Sequence, residues 1–373
     1  MSEDPTLGEL GEFEVIARLK QKIRAAAADD PTIAIDLGDD AAAYDPAPGM
    51  QQVVTTDVMV VGRHFLPGWM SAREIGARAM QVNLSDLAAM GAMPRFAFAS
   101  LGLPPTLRWA ELASIYDGFL GALQGAGGDV AAPRGTSQAS PTILGGNLTA
   151  VAREWFLNLT LIGEVEAGRA LTRSGARVGD EVWVSGCPGR SAAGLALIER
   201  FSEGASAEPI GVHLQRREAW LAAHPWGRSL LDAVIAPHAR VGFGRALLRH
   251  GARAAIDLSD GLLADLTHLA EASEVRIELV GEELPAGHDP DIRELAAWLE
   301  CSEGDLAHRL LGPSDDYELA FSAPPTTAHA IVEELSHAGG LPLRRIGRVV
   351  DGSGVSVSGF DSSTLRGWDH FRR

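Results

Sequence analysis

The side chains best suited to chemistry are aspartates in predicted loops and at the ends of predicted elements, each beside Gly, Ser or Thr. They are Asp39 and Asp40 in GDDAA, Asp57 in TTD, Asp86 in NLSD, and Asp257 and Asp260 in IDLSDG. Carboxylate and hydroxyl oxygens suit Mg²⁺, which proteins usually bind through one or two carboxylates together with phosphate oxygens and water. Like charges about 4 Å apart repel by about 4 kcal/mol at an effective dielectric constant of about 20, so converging carboxylates require bound cations. The pattern indicates an acidic, Mg²⁺-compatible site for phosphates.

Each of these motifs also has a purely structural interpretation. Gly-Asp-Asp is commonly a turn, and Ser259-Asp260-Gly261 is equally a cap on a helix that carries Leu262 and Leu266. The turn from Ser185 to Gly194 resembles a dinucleotide-binding loop only loosely, and strand-turn-helix packing explains it better. His64 on this pattern alone is more often structural than a ligand.

The basic residues restrict the chemistry further. Lys20 and Lys22 are the only lysines among 32 basic residues, so no lysine beyond residue 22 can serve a phosphate-binding loop or form a Schiff base. The sequence also has no His-Glu-x-x-His pair and no Gly-x-Ser-x-Gly motif, which excludes the common zinc-protease and serine-hydrolase patterns.

Net charge and cysteine content narrow the class of protein. A formal net charge of −17 opposes binding to nucleic acid or to anionic membranes. The acidic start of the chain lacks a signal-peptide pattern, and no apolar run approaches the ~18 residues of a membrane-spanning helix, which predicts a cytoplasmic protein. Cys187 and Cys301 match no metal-binding or redox spacing, so no disulfide framework is expected.

The elements that must position the aspartates follow from periodicity. The spacing of Phe13, Ile16, Leu19 and Ile23 predicts a helix, and the β-branched run 52–58 predicts a strand that places Asp57 near its end. Ser71-Ala72-Arg73-Glu74 has capping-box form and predicts a closely packed helix through Met90, with Asn83 and Asp86 on one face.

The later part of the chain repeats strand-turn-helix units. Further strands are predicted at 155–162 and within 179–186, a helix at 191–200, a strand-loop-helix unit at 254–273, and an extended loop at 125–142. A chain of 373 residues predicts about two domains. We therefore expect an α/β (α+β) protein with domains at 1–165 and 166–373.

Taken in order, the motifs are more specific than any one alone. GEFEVIARL, GDDAAAY, VVTTDVMVVGRHF, QVNLSDLAAMGAMPRF, ALTRSGARVGDEVWVSGCPGRSAAGLALI, IDLSDGLLADLTHLAEAS, DDYELAF and GWDHF together resemble the thiamine-monophosphate kinases over nearly the whole chain. The resemblance implies the aminoimidazole-ribonucleotide-synthetase-like fold, with an N-terminal ATP- and Mg²⁺-binding domain that forms a homodimer and a C-terminal α/β domain that covers the active-site cleft. It also implies direct, ATP-dependent phosphorylation of thiamine monophosphate to thiamine diphosphate, assisted by several Mg²⁺ ions.

The resemblance also implies roles for individual residues. Those matching positions that hold Mg²⁺ are Asp40, Thr55, Thr56, Asp57, Asp86, Asn147, Asp257 and Asp260. Those matching positions that contact ATP are Gly146, Asn147, Arg173 and Ser259, and those matching positions that contact thiamine monophosphate are His64, Asp315 and Trp368. No general base is implied, because the second pKa of a phosphate monoester, near ~6, leaves the acceptor mostly dianionic at pH 7.

The chain departs from the family's usual pattern at two of these positions. Asn147 stands where an aspartate is common and offers a neutral oxygen to a metal. Asp315 stands where a glutamate is common and is shorter by one methylene. The 125–142 loop also looks longer than usual.

Two alternatives accompany this interpretation. One is another ATP-using enzyme of the superfamily, although no cysteine precedes Cys187, no lysine follows Lys22, and the sequence ends without the terminal cysteine of a hydrogenase-maturation relative. The other is a non-catalytic nucleotide- or metal-sensing dimer that lost activity through Asn147.

Overall fold

The computed structural model describes residues 4–37, 40–65, 68–128, 140–202, 210–337, 341–360 and 368. The α-helices are Leu7–Leu10 (α1), Glu12–Ala26 (α2), Ala72–Ala89 (α3), Trp109–Gly128 (α4), Arg190–Ser202 (α5), Ile210–Ala223 (α6), Gly227–Ile235 (α7), Val241–His250 (α8), Leu262–Ser273 (α9), Pro290–Leu299 (α10), Glu303–Leu311 (α11) and Pro325–His337 (α12). The strands are Ile33–Ile35 (β1), Ala43–Tyr44 (β2), Met50–Val60 (β3), Met93–Leu103 (β4), Thr142–Ala150 (β5), Phe156–Glu166 (β6), Glu181–Ser185 (β7), Ala254–Asp257 (β8), Arg276–Val280 (β9), Leu319–Ala323 (β10), Leu343–Val350 (β11) and Gly354–Ser358 (β12).

The chain divides into two compact units. The first comprises Met1–Leu87, Ala92–Arg169 and Pro209–Arg217, and the second comprises Ala88–Gly91, Ala170–Glu208 and Glu218–Arg373. The roles predicted for residues 1–165 and 166–373 stay predictions.

A four-stranded sheet forms the centre of the first unit, in the order β3-β6-β4-β5. Only the β4–β5 pair is parallel within this sheet. Alternate side chains of β6, including Leu157, Leu159 and Leu161, are fully buried, whereas Val54 and Val58 of β3 are 61% and 46% exposed. Because successive side chains point to opposite faces of a sheet, one face is covered and the other is open in the single chain.

Helix α3 forms as its sequence predicts. The Glu74 N–H donates to the Ser71 hydroxyl (3.3 Å) and the Ser71 N–H donates to the Glu74 carboxylate (2.7 Å), which completes the capping box. A Cβ added to Gly76 would lie 2.0 Å from the carbonyl oxygen of Ile115, so glycine is needed where α3 and α4 pack. The prediction of a closely packed helix is confirmed.

Two details of the predicted elements differ in the structure. Helix α2 forms, but it buries Val15, Leu19 and Ile23 and leaves Phe13 86% exposed, because Phe13 lies off the buried stripe. Helix α4 continues to Gly128, so the loop expected from residue 125 starts later. Residues 129–139 of that loop lie outside the described residues.

The second unit is built on a six-stranded mixed sheet in the order β12-β9-β11-β7-β10-β8, in which only β12 and β9 are parallel. Leu262, Leu266 and Leu269 of α9 join one buried cluster with Ile256 of β8 and Ile277 of β9. Asp257 ends β8, so the turn from Leu258 to Gly261 is held between a buried strand and a buried helix. None of the described helices is long and apolar enough to cross a membrane.

Candidate functional site

In the first unit, β3 and α3 bring predicted metal-binding side chains together. The Thr55 hydroxyl donates a hydrogen bond to the Asp86 carboxylate. One helical turn earlier, Asn83 accepts a hydrogen bond from the backbone N–H of Asp57 (3.0 Å). Asn83 is 1% exposed and also donates to the Ala79 carbonyl (3.0 Å), so it is fixed in place. The predicted i, i+3 spacing of Asn83 and Asp86 therefore places both side chains against β3.

Thr56 lies on the opposite face of the same sheet, because side chains alternate along a strand. Its hydroxyl lies 3.2 Å from Asn158 Oδ1 and accepts a hydrogen bond from Thr160 (3.0 Å). The structure thus separates Thr56 from the group formed by Thr55 and Asp86.

Asn147 lies on β5, at the edge of the sheet opposite β3. It pairs with Ser100, which pairs with Asn158, and Asn158 pairs with Val58. Three strand spacings of about 4.8 Å separate β5 from β3, or about 14 Å. Since Mg²⁺–oxygen distances are about 2.0–2.1 Å, side chains from the two edge strands of one chain cannot share one ion.

Gly146 has a structural reason to be glycine. A Cβ at this position would lie 2.1 Å from the Ala99 carbonyl oxygen on the neighbouring strand. The close approach of β5 to β4 is sufficient to require glycine here, and its predicted contact with ATP stays a prediction.

The remaining predicted residues of the first unit flank its strands. His64 follows β3, and its Nδ1 accepts a hydrogen bond from the Val60 N–H (3.0 Å), so in the neutral ring the proton lies on Nε2. Asp40 is exposed and precedes β2, whereas Asp39 lies outside the described residues.

In the second unit, Asp265 organises the turn that carries Ser259 and Asp260. Its Oδ2 accepts hydrogen bonds from the backbone N–H groups of Ser259 (3.0 Å), Asp260 (3.1 Å) and Gly261 (3.1 Å). A Cβ at Gly261 would lie 2.4 Å from the Gly312 carbonyl oxygen, and the residue has φ +114°, so glycine is required. Because the N–H groups point at an internal carboxylate, this turn offers a ligand its side chains rather than its amides.

Burial governs the ionisation of Asp265. The side chain is 3% exposed, and this burial raises its pKa to about 7, although the three N–H groups favour the ionised form. Asp257, at the end of β8, is also 3% exposed and pairs with Leu319 of β10.

Asp315 lies beside the first turn of α5. Its Oδ1 accepts a hydrogen bond from the Ser191 hydroxyl (2.7 Å). The neighbouring Asp316 is buried and accepts hydrogen bonds from the N–H groups of Gly189 (2.8 Å) and Ser191 (2.9 Å) and from the Ser314 hydroxyl (2.8 Å). Burial raises the pKa of Asp316 to about 6.

An ion pair follows directly along the same segment. Arg240 donates to both carboxylate oxygens of Glu318 (2.8 and 2.5 Å), and the Ser185 hydroxyl donates to the same carboxylate (2.5 Å). Gly186, in the turn after β7, has φ +62°, and a Cβ there would lie 2.0 Å from that carboxylate, so both backbone and space favour glycine. The second half of the DDYEL motif therefore has a structural role at the start of β10.

Arg173 and Trp368 complete the predicted set. The Arg173 carbonyl accepts from the Ser273 hydroxyl (2.9 Å), and its exposed guanidinium forms no hydrogen bond or ion pair with the described residues. Trp368 is 49% exposed, and its backbone N–H donates to the Asp260 carbonyl (3.2 Å).

Comparison with known proteins identifies the family. The family model described as "AIR synthase related protein, N-terminal domain" matches residues 38–165, and that described as "AIR synthase related protein, C-terminal domain" matches residues 177–359. The thiamine-monophosphate kinase of Mycobacterium tuberculosis is 34% identical over 99% of this chain and 94% of its own length. The chain belongs to the thiamine-monophosphate kinase family.

Solved structures of this family have the same fold. The thiamine-monophosphate kinase from Stenotrophomonas maltophilia aligns with a TM-score of 0.73 at 35% identity, covering 91% of this chain and 96% of its own. A structure described as "AaThiL complexed with AMPPCP and TMP" aligns with a TM-score of 0.69 at 30% identity, covering 99% of this chain and 100% of its own. The predicted α/β fold with two domains is confirmed.

The residues of this family member are chemically suited to Mg²⁺. Within the described ranges, no group of three or more His, Cys, Asp and Glu side chains is arranged as a ready metal-binding cluster. Yet Thr55 with Asp86, and Asp257 with Asp260, are hard oxygen donors that offer one or two carboxylates in each unit. That is the number Mg²⁺ usually takes when phosphates and water supply the other ligands.

Three polar residues hold proposed site residues in place but were not singled out from the sequence. They are Asp265, Asp316 and Ser191. The only feature of the sequence that could have indicated Asp265 is its position four residues after the helix cap Gly261. Nothing local to Asp316 or Ser191 indicates that they meet across more than a hundred residues of chain.

Proposed function

We propose that this chain transfers the γ-phosphoryl group of ATP directly to the phosphate of thiamine monophosphate, which gives thiamine diphosphate. The observation that carries the proposal is the alignment of essentially the whole chain with the structure described as "AaThiL complexed with AMPPCP and TMP". AMPPCP is an ATP analogue, and TMP in this family is thiamine monophosphate. Both substrates of the proposed reaction thus have a counterpart in a relative of the same fold.

The proposed site uses Mg²⁺ to bring two anions together. Asp40, Thr55, Asp57 and Asp86 would hold the ions in the first unit and Asp257 and Asp260 in the second, with Thr56 and Asn147 as further ligands. Mg²⁺ held by these residues would neutralise the phosphates and would stabilise the charge of the phosphoryl transition state.

The residues of the chain bind and orient the substrates. Arg173 presents an exposed guanidinium whose forked N–H groups match phosphate oxygens, and its backbone is held by Ser273. The turn that Asp265 fixes would present Ser259 to the nucleotide and Asp260 to Mg²⁺. Trp368 offers an aromatic face and Asp315 a carboxylate to the ring system of thiamine monophosphate, which carries a positive charge.

Direct transfer requires neither a base nor a covalent enzyme intermediate. The acceptor phosphate is mostly dianionic at pH 7 and is already a nucleophile. Burial raises the pKa of the Cys187 thiol, so it is not a thiolate poised for attack. In-line transfer between the two bound substrates is the simplest course that the side chains support.

We propose in addition that the protein is a homodimer formed through the open face and edges of the β3-β6-β4-β5 sheet. Val54 and Val58 are exposed on that face. Thr55 and Asn147, both proposed Mg²⁺ ligands, lie on opposite edge strands of one chain's sheet, so they could contact one ion only if a second copy supplied one of them. The cytoplasmic location and the lack of nucleic-acid and membrane partners stay predictions.

The deciding experiment incubates purified protein with ATP, Mg²⁺ and thiamine monophosphate and measures thiamine diphosphate. Turnover that requires all three supports the proposal, whereas ATP binding without turnover at any Mg²⁺ concentration favours a sensor. Direct transfer is tested with γ-labelled ATP alone. Stoichiometric labelling of the protein, with transfer of that label to the acceptor, would contradict it.

A further inference from the structure

The segment that carries Asp315 has a fixed backbone. Its neighbour Asp316 is 8% exposed and accepts two N–H groups from the start of α5 and one hydroxyl from Ser314. On the other side, Glu318 is held by Arg240 and Ser185. Since both flanks are fixed, the position of the Asp315 carboxylate depends on its own two side-chain torsions.

A reciprocal pair of hydrogen bonds sets those torsions. The Ser191 hydroxyl donates to Asp315 Oδ1 (2.7 Å) and accepts from the backbone N–H of Asp315 (3.1 Å). Ser191 is 1% exposed, so the hydroxyl is buried, and it serves one residue as both donor and acceptor. This arrangement selects one orientation of the carboxylate before any ligand binds.

The length of the acid makes this orientation matter. Asp315 carries its carboxylate on a single methylene, so the carboxylate lies close to the backbone and tolerates little misdirection. A carboxylate held in one rotamer loses less conformational freedom when a ligand binds, and this raises affinity without a new contact.

We propose that Ser191 is a positioning residue that orients the Asp315 carboxylate and thereby sets the affinity for thiamine monophosphate. The proposal rests on the proposed function, in which Asp315 contacts this substrate. Ser191 is bonded to the acid and need not touch the substrate itself. Removing the Ser191 hydroxyl therefore weakens the binding of thiamine monophosphate and not that of ATP.

The test measures kcat and both KM values for Ser191→Ala and Ser191→Cys, the latter retaining the side-chain volume with a weak donor. Each variant is expected to raise the KM for thiamine monophosphate about tenfold, the effect of weakening one hydrogen bond to a charged group. The KM for ATP and kcat should change by less than about twofold, because the loss is confined to binding of one substrate. In an Asp315→Ala background, Ser191→Ala should have no further effect on that KM.

A matched control comes from the start of α11. There the Ser302 hydroxyl donates to Asp305 (2.6 Å) and accepts the Asp305 N–H (3.2 Å), which is the same reciprocal pair on an exposed surface. Ser302→Ala should leave both KM values unchanged.

Three outcomes would overturn the inference. They are an unchanged KM for thiamine monophosphate in both Ser191 variants, an equal loss for both substrates, and full additivity with Asp315→Ala. If the wild-type protein makes thiamine diphosphate, any of these outcomes refutes the role of Ser191 and leaves the proposed function intact. A wild-type protein without turnover refutes the proposed function and with it this inference.

Discussion

The backbone N–H of Trp368 donates to the carbonyl oxygen of Asp260, with the two atoms 3.2 Å apart. This bond joins a residue proposed to contact thiamine monophosphate to one proposed to hold Mg²⁺. The N–H of the same Asp260 donates to Asp265, so the peptide groups on both sides of the residue are fixed. A residue proposed to bind substrate and one proposed to bind metal are thus joined by a backbone hydrogen bond in the second unit.

The indole of Trp368 should contribute to binding thiamine monophosphate and not to binding ATP. We expect Trp368→Ala to raise the KM for thiamine monophosphate roughly 2- to 30-fold, which corresponds to losing a cation–π contact. Trp368→Phe should raise it less because a ring remains, and the backbone bond to Asp260 survives both changes. Steady-state kinetics with each substrate varied checks this, and an equal rise in the KM for ATP would contradict it.

Asp265 should stabilise the turn and affect the affinity for metal. Asp265→Ala leaves three N–H groups without their acceptor, so we expect a loss of about 2–4 kcal/mol in the free energy of unfolding. Asp265→Asn keeps an oxygen acceptor and should lose less. Both variants should need more Mg²⁺ for half-maximal rate and bind Mn²⁺ more weakly in a direct titration.

A suitable control for Asp265 is Asp289→Ala. Asp289 accepts two N–H groups at the start of α10 and is not a proposed ligand. It should lower stability without shifting the Mg²⁺ requirement. The role of Asp265 is refuted if its variants lose stability but bind Mn²⁺ as the parent protein does.

Asp316 should make stability depend on pH between about 4 and 6. Its pKa is raised from 3.8 to about 6, so in this window the native state binds more protons than the unfolded state. The contribution of Asp316 to stability therefore falls as pH rises, by about 2–3 kcal/mol in total. The free energy of unfolding of wild type and of Asp316→Asn can be measured by chemical denaturation from pH 4 to 7. The value for the wild type should fall relative to that for Asp316→Asn as pH rises. A difference that stays constant would show that Asp316 does not titrate there.

Asn147 offers a neutral oxygen where a carboxylate would bind Mg²⁺ more strongly. We expect Asn147→Asp to lower the Mg²⁺ concentration needed for half-maximal rate. Gln21→Glu adds the same charge to an exposed position of α2, away from the open sheet face, and should have no such effect. No change in Asn147→Asp would mean that position 147 does not ligate metal in this protein.

The open sheet face should be the dimer interface. Charged side chains in place of Val54 and Val58, as in the double variant Val54→Lys and Val58→Lys, should convert the dimer to monomer in analytical ultracentrifugation because burying two charges is costly. Val178→Lys is a matched control, since Val178 is equally exposed but lies in the second unit. A wild-type protein that sediments as a monomer at all concentrations contradicts the dimer itself.

The sequence alone determined the local features of this protein. These features depend on residues only a few positions apart, so they can be predicted from the sequence. They are the capping box of α3, the strand that contains Asp57 and the common face of Asn83 and Asp86. The ordered motifs likewise identified the family, and through it the fold.

Only the tertiary structure decided which side chains meet. Thr55 and Thr56 are neighbours in sequence, yet the pleat of β3 places them on opposite faces of the sheet. Ser191 and Asp315 are far apart in sequence, yet the packing of α5 beside the start of β10 makes them a bonded pair. The exposure of Phe13 was also decided by the tertiary structure, because the buried positions of a helix depend on what packs against it. Long-range contacts of this kind depend on how strands pair and helices pack, and no local spacing encodes them.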